Sequence, residues 1–234
     1  MDRRTMLGAL AAGSAALAFE GGQGREKMAS PAPMNPLADY VPRTFDFATG
    51  LPGLSKDLLG EHLTLYKGYV TRSNALLKDL LAAEKEGRSN AMVQELRRRL
   101  GFEFSGMRVH EWYFEALNAG AAKATEHHPL QQAIRATWGS FDAWWAAFKG
   151  TCTMPGIGWA ALLQDPATGR LMNGWFQDHE NAIPVGTKAL LVVDVWEHAY
   201  VKDYGATGRG KYVDVVKPLL DWKVIEGRFT HPST

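Results

Sequence analysis

The chain has 234 residues, with 26 Lys and Arg, 25 Asp and Glu, one Cys and eight Trp. A net charge of +1 excludes nucleic-acid binding driven by overall basicity, and 46% hydrophobic against 22% charged residues excludes a disordered chain. The lone Cys excludes a disulfide framework and any multi-cysteine zinc or iron–sulfur site, and the length allows one or two domains.

Residues 1–18 read as an export signal. Arg3-Arg4 precede an apolar run of Leu, Ala and Gly, and Ala16-Leu17-Ala18 supplies the small residues that a signal peptidase needs. The run is too short to span a bilayer. A paired Arg before a mildly hydrophobic run resembles a twin-arginine signal, the alternative being an ordinary Sec signal. The expected location is therefore periplasmic or secreted, with no stable membrane anchor after signal removal. Residues 19–50, with Gly21-Gly22, Pro31, Pro33, Pro36 and Pro42, read as an extended leader.

From Ser55, a plausible N-cap, to Gly87, a plausible stop, apolar residues and His62 recur at helical spacing. A second helical region runs from Ser89 to Leu117, interrupted by Gly101 and Gly106. Shorter helices follow at 129–138 and 141–148. After Pro155 the texture becomes β-like. Runs at 158–164 and 170–176 are joined by a turn at 165–169, and a third run covers 189–193. Helix then returns, with 211–222 the clearest piece. Helices, a small antiparallel sheet and further helices make an α+β fold. The expected division is a helical hairpin at 51–125 and an α/β domain at 126–234. Cys152 is expected to be a small buried side chain. His127, His128, His179 and His231 lie in polar loops and read as surface residues.

Asp194 ends an apolar strand and His198 follows four residues later. A strand end is a rigid mount for metal ligands, but such a pair alone is more often simply hydrogen-bonded. The wider string Asp194-Val195-Trp196-Glu197-His198-Ala199-Tyr200 resembles the C-terminal signature of iron/manganese superoxide dismutases. Gly158-Trp159-Ala160, Arg209 with Tyr212, Trp222 and Ser140-Phe141 resemble further landmarks of that family, and the likeness extends over roughly residues 50–230.

The resemblance implies one Mn or Fe per subunit, held by three His and one Asp: His62, His110, Asp194 and His198. His110 lies in a Gly106-x-x-x-His110 pattern. For His62, upstream spacing fits the family, whereas counting back from Tyr69 would put Glu61 at the ligand position. Helix periodicity favours His62, because His62, Tyr66 and Tyr69 share one face. Imidazoles with one carboxylate suit a redox-active Mn or Fe better than a thiolate site would. The implied activity is conversion of superoxide to oxygen and hydrogen peroxide, with a hydrogen-bonded proton relay beside the metal.

By the same resemblance Tyr69 is the gateway tyrosine, bonded to Gln177. Gln177 with Gly106 is the manganese-type arrangement, leaving Fe as the alternative. Tyr66 replaces the family's gateway His, and Val201 replaces a Tyr. Trp159 and Trp196 should wall the site, and Glu197 implies a homodimer in which it touches the partner subunit's His198. Val109 stands where the family has Asn. With overall charge balanced, steering of the anion falls to Arg209, and more weakly to Lys67. The competing expectations are a non-catalytic structural or binding protein on the same fold, which should have lost ligands, and a metallohydrolase, for which no His-Glu-x-x-His string or second carboxylate cluster occurs.

Overall fold

The structure, a computed structural model, describes residues 37–47 and 49–230. The signal segment, most of the leader and His231 lie outside the described residues. Ser55 caps α1 (Lys56–Lys85), its hydroxyl accepting from Leu58 N–H. Asn90 caps α2 (Ala91–Glu115) in the same way through Val93. A short turn joins these helices and they pack along each other. The expected breaks at Gly101 and Gly106 do not occur. Glycine lowers helix propensity by only about 1 kcal/mol, and packing against α1 outweighs that cost.

Leader residues 37–47 have no regular secondary structure, but much of the stretch is fastened to the helix pair. Tyr40 exchanges two hydrogen bonds with the Asn74 side chain, each 2.9 Å. Phe45 and Phe47 pack against Phe114. The described residues from Asp39 onward fall in one compact unit.

The helices α3 (Pro129–Trp138) and α4 (Phe141–Cys152) lead into the sheet. α4 carries an aromatic face: Trp144 meets Phe141, Trp145, Phe148 and Trp222 at ring separations of 5.2 to 5.8 Å. Cys152 is buried, and burial pushes its thiol pKa up, so it is an inert core side chain.

The sheet has strands β1 (Gly158–Gln164), β2 (Leu171–Gln177) and β3 (Lys188–Asp194), antiparallel in the order β2-β1-β3. Every residue of the central strand is buried, which its continuous apolar sequence requires. Gly158 opens β1 at φ +141°, and a Cβ there would lie 1.9 Å from the Phe176 carbonyl oxygen, so only glycine lets β2 approach. The register sets Trp159 opposite Asp194.

After a 3₁₀ turn at Glu197–Ala199 come α5 (Val201–Tyr204), α6 (Arg209–Val216) and α7 (Trp222–Gly227). The single helix expected over 211–222 is therefore two. Pro218 has no N–H to continue the ladder and sits in a 3₁₀ turn. Leu220 then leaves the helix to bridge Leu117 at the end of α2.

Leu162→Ala, in the buried central strand, should lower the unfolding free energy by about 2–5 kcal/mol. Leu77→Ala, at a position 38% exposed on α1, should change it by no more than about 0.5 kcal/mol. Urea unfolding followed by circular dichroism measures both.

Candidate metal centre

Four elements deliver one donor each. His62 comes from the second turn of α1, His110 from α2, Asp194 from the end of β3 and His198 from the 3₁₀ turn. Their donor atoms all lie within 4.8 Å of one another. Asp194 Oδ2 is 3.0 Å from His62 Nε2, 3.1 Å from His198 Nε2 and 3.7 Å from His110 Nε2. His62, His110 and Asp194 are buried, and the His198 side chain is 22% exposed. Glu61, the alternative ligand, instead lies exposed on the next helix face and pairs with Lys202.

Support from behind orients the donors. His110 Nδ1 is 2.6 Å from the Gly106 carbonyl oxygen. A carbonyl only accepts, so Nδ1 carries the proton and Nε2 is a bare lone pair aimed inward. Asp194 Oδ1 accepts from Trp196 N–H at 2.8 Å. The Tyr212 hydroxyl donates to the Asp194 backbone carbonyl at 2.9 Å, and Tyr113 bonds Tyr212 at 2.7 Å.

The residues fit a metal ion. Burial, and then the neighbouring His62, hold the His110 pKa well below its ordinary value, so the ring stays neutral. Its Nε2 has no hydrogen-bond partner and faces the Asp194 carboxylate, acceptor against acceptor. A cation between them resolves this. Burial likewise lowers His62. Burial opposes charge at His198 as well, but the adjacent Asp194 overrides it and raises the pKa. Burial also opposes ionisation of Asp194, yet the imidazoles of His198 and His62 keep its carboxyl far below the usual range. Three imidazole nitrogens and one carboxylate suit a first-row divalent or trivalent ion.

Beside the donors runs a hydrogen-bonded chain with a defined polarity. Trp159 Nε1–H donates to His179 Nδ1 at 3.0 Å, and His179 Nε2 lies 2.8 Å from the Tyr69 hydroxyl. An indole N–H can only donate, so Nδ1 must accept and Nε2 must carry the proton. Nε2–H therefore donates to Tyr69, whose own O–H is left free to donate elsewhere. Burial pulls His179 down to about 4 and pushes Tyr69 up to about 12, so both are neutral near pH 7.

This corrects two expectations. His179 is not a surface residue but fully buried, and Gln177 does not meet Tyr69 but is exposed. Phe176 is buried and strand side chains alternate faces, so the next residue, Gln177, points away. Gln177 then closes a turn with Asn181 through two 3.1 Å backbone bonds, and the turn carries His179 inward. Gly106 makes room for this arrangement: a Cβ there would come within 2.8 Å of the Tyr69 ring and 3.2 Å of His179. The usable signal was chemical, since an imidazole, like an amide, can accept on one side and donate on the other.

Tyr66 lies beside His110, but its hydroxyl faces the leader. It donates to Glu111 at 3.0 Å and accepts from Arg43 N–H at 2.8 Å. It is outside the Tyr69–His179–Trp159 chain. Trp196 stacks on His179 and His198, and Trp159 stands edge-on to His110, so both indoles wall the donors. Arg209 donates to the Met154 carbonyl at 2.7 Å and reaches the Tyr200 hydroxyl at 3.4 Å. Glu197 and Lys67 are exposed, and Val201 and Val109 are half-buried and buried respectively.

Comparison with known proteins identifies the family. Residues 126–228 match the C-terminal domain of iron/manganese superoxide dismutases. A "Superoxide dismutase [Fe]" of Cupriavidus metallidurans is 33% identical, over 76% of this chain and 90% of that protein. A "Superoxide dismutase [Mn/Fe]" of Propionibacterium freudenreichii is 30% identical, over 80% and 93%. A "Superoxide dismutase [Mn] 1" of Haloferax volcanii is 28% identical, over 82% and 96%. The chain belongs to the iron/manganese superoxide dismutase family, and is accordingly a metal-dependent oxidoreductase whose cofactor is manganese or iron.

Proposed function

We propose that the protein dismutates superoxide to oxygen and hydrogen peroxide at one Mn or Fe per subunit, held by His62, His110, Asp194 and His198. The observation that carries this reading is the convergence of four buried or nearly buried donors on one point, with an unpartnered imidazole nitrogen among them. A non-catalytic protein on this fold would have no need to keep all four. The bound ion would supply the electron for one substrate molecule and recover it from another. The remaining work falls to the chain. Asp194 contributes the one anionic donor, and Tyr212 and Trp196 hold it in place. Trp159 fixes the His179 tautomer, and His179 turns the Tyr69 proton outward, where it can be donated as peroxide forms. The preference for manganese rested on Gln177, which stands at the surface. The proposal therefore names both ions.

The two halves, 51–125 and 126–234, each supply two donors, so the site forms only when they close together. A homodimer is part of the proposal. Glu197 is exposed beside a metal ligand that is itself 22% exposed, and a second subunit would cover both. Export by a twin-arginine signal is likewise proposed from Arg3-Arg4 and the apolar run after them. Among the described residues no helix is long and apolar enough to cross a membrane.

Four outcomes are expected. Protein loaded separately with Mn and with Fe should bind one ion per chain, by elemental analysis, and dismutate superoxide with at least one of them. Asp194→Asn should lose both metal and activity. His179→Leu should keep its metal but lose about 10- to 100-fold in activity, whereas Gln177→Ala should match the parent; the reverse result would return the relay to Gln177. Sedimentation should find a dimer, and Glu197→Arg should shift it toward monomer.

A further inference from the structure

A charge cluster lies over the Tyr69 ring. The Glu103 carboxylate, on α2, is only 1% exposed. Its Oε2 accepts from Arg72 Nε at 2.7 Å, and its Oε1 accepts from Arg99 Nε at 2.8 Å. Arg72 comes from α1 and Arg99 from the preceding turn of α2, so the clasp crosses the helix pair. The two guanidinium side chains are 49% and 45% exposed.

Their placement follows the hydrogen-bonded chain below. Arg72 Cζ lies 4.8 Å from the Tyr69 ring centroid. Arg99 Cζ lies 4.6 Å from that of Phe102, whose ring is 4.6 Å from His179. Gly68 gives the Arg72 guanidinium its space, since a Cβ there would meet Nη1 at 2.8 Å.

Stability alone is a weak reason for such a triad, because buried ion groups contribute little beyond what apolar packing would. What this one does is hide its carboxylate and present its two cations. Glu180, another carboxylate near α2, has an oxygen that is itself buried. In a chain of net charge +1, attraction of an anion has to be local. The Arg72 guanidinium lies within the Debye length of about 8 Å from the Tyr69 ring, and that of Arg99 within it from Phe102, which abuts His179.

We propose that Arg72 and Arg99, held by Glu103, form an anion-attracting rim that draws a small, singly charged anion toward Tyr69 and His179. The identity of that anion as superoxide rests on the proposed function; the attraction itself does not.

The test uses azide, a small monovalent anion, titrated optically against metal-loaded protein, alongside the dependence of kcat/KM on ionic strength. Arg72→Gln with Arg99→Gln should weaken azide binding, and lower kcat/KM at low salt, by about tenfold, the rate difference closing as salt rises. Glu103→Gln should do the opposite, tightening azide and steepening the salt dependence, because it leaves both cations uncompensated. The Lys pair Arg72→Lys, Arg99→Lys should resemble the parent. Lys78→Gln, further along α1, should change neither readout. If the Gln pair fails to fold with Glu103 left unpaired, the triple Gln variant takes its place, with a smaller loss of the same sign, because the carboxylate is removed with the two cations. A clasp that merely braces the helices would show losses of the same sign for Glu103→Gln and the arginine variants, or no change in azide affinity, and either result overturns the proposal. Azide behaviour as expected, in a protein that dismutates no superoxide, would keep the rim and reject the proposed function.

Discussion

A carboxylate with no access to water must be met by positive charge or by hydrogen-bond donors, and Asp194 is met by three imidazoles. Only two of them can satisfy it through protons, because the Nδ1 proton of His110 is committed to Gly106. The third nitrogen leaves lone pair against lone pair, an arrangement that costs free energy until a cation enters. Much of the architecture serves this point. β3 is buried throughout its last five residues, so Asp194 cannot swing out. Tyr113 and Tyr212 form a buried hydroxyl pair behind it. The bridge between Leu117 and Leu220 ties the end of the helix pair carrying His62 and His110 to the C-terminal half.

The layer beside the donors shows how one donor-only group sets the direction of a chain. Indole nitrogen cannot accept, and this fixes the His179 tautomer and frees the Tyr69 proton. A protonated His179 would set N–H against N–H at Trp159, which adds to the burial that already lowers its pKa. The chain is therefore held neutral and polarised in one sense. Its packing is equally specific, since the rings of Tyr69 and His179 occupy the space in which a side chain at position 106 would stand.

Tyr66 and the leader show a different use of the same helix face. Tyr66 is one turn from both His62 and Tyr69, yet its hydroxyl is held by Glu111 and the Arg43 backbone. Arg108 in turn holds Glu111 at 2.7 Å. Residues 39–47 thus close over the helix pair and seal the apolar side of the donors, while Arg72, Glu103 and Arg99 occupy the side toward Tyr69. One helix pair carries a flank anchored to the leader and a charged one.

Much of this was legible from residue order alone. Helical spacing put His62, Tyr66 and Tyr69 on one face, capping residues marked where α1 begins, and the β-like texture after Pro155 marked the strands of a small antiparallel sheet. The string from Asp194 to Tyr200 carried the family, and helix periodicity favoured His62 over Glu61. These features are local, set by side-chain period, caps and turns within a few residues. What tertiary structure alone decided was which polar group fills the space between Tyr69 and Trp159. Gln177 and His179 are two residues apart and chemically able to do the same work. The choice fell to strand alternation after Phe176 and to a turn closed by Asn181. The clasp of Arg72, Glu103 and Arg99 was equally hidden, because its members are up to 31 residues apart and meet only when α1 and α2 pack. Local sequence determines the period of an element and the chemistry it carries; which distant groups share a buried space is settled by how those elements close on one another.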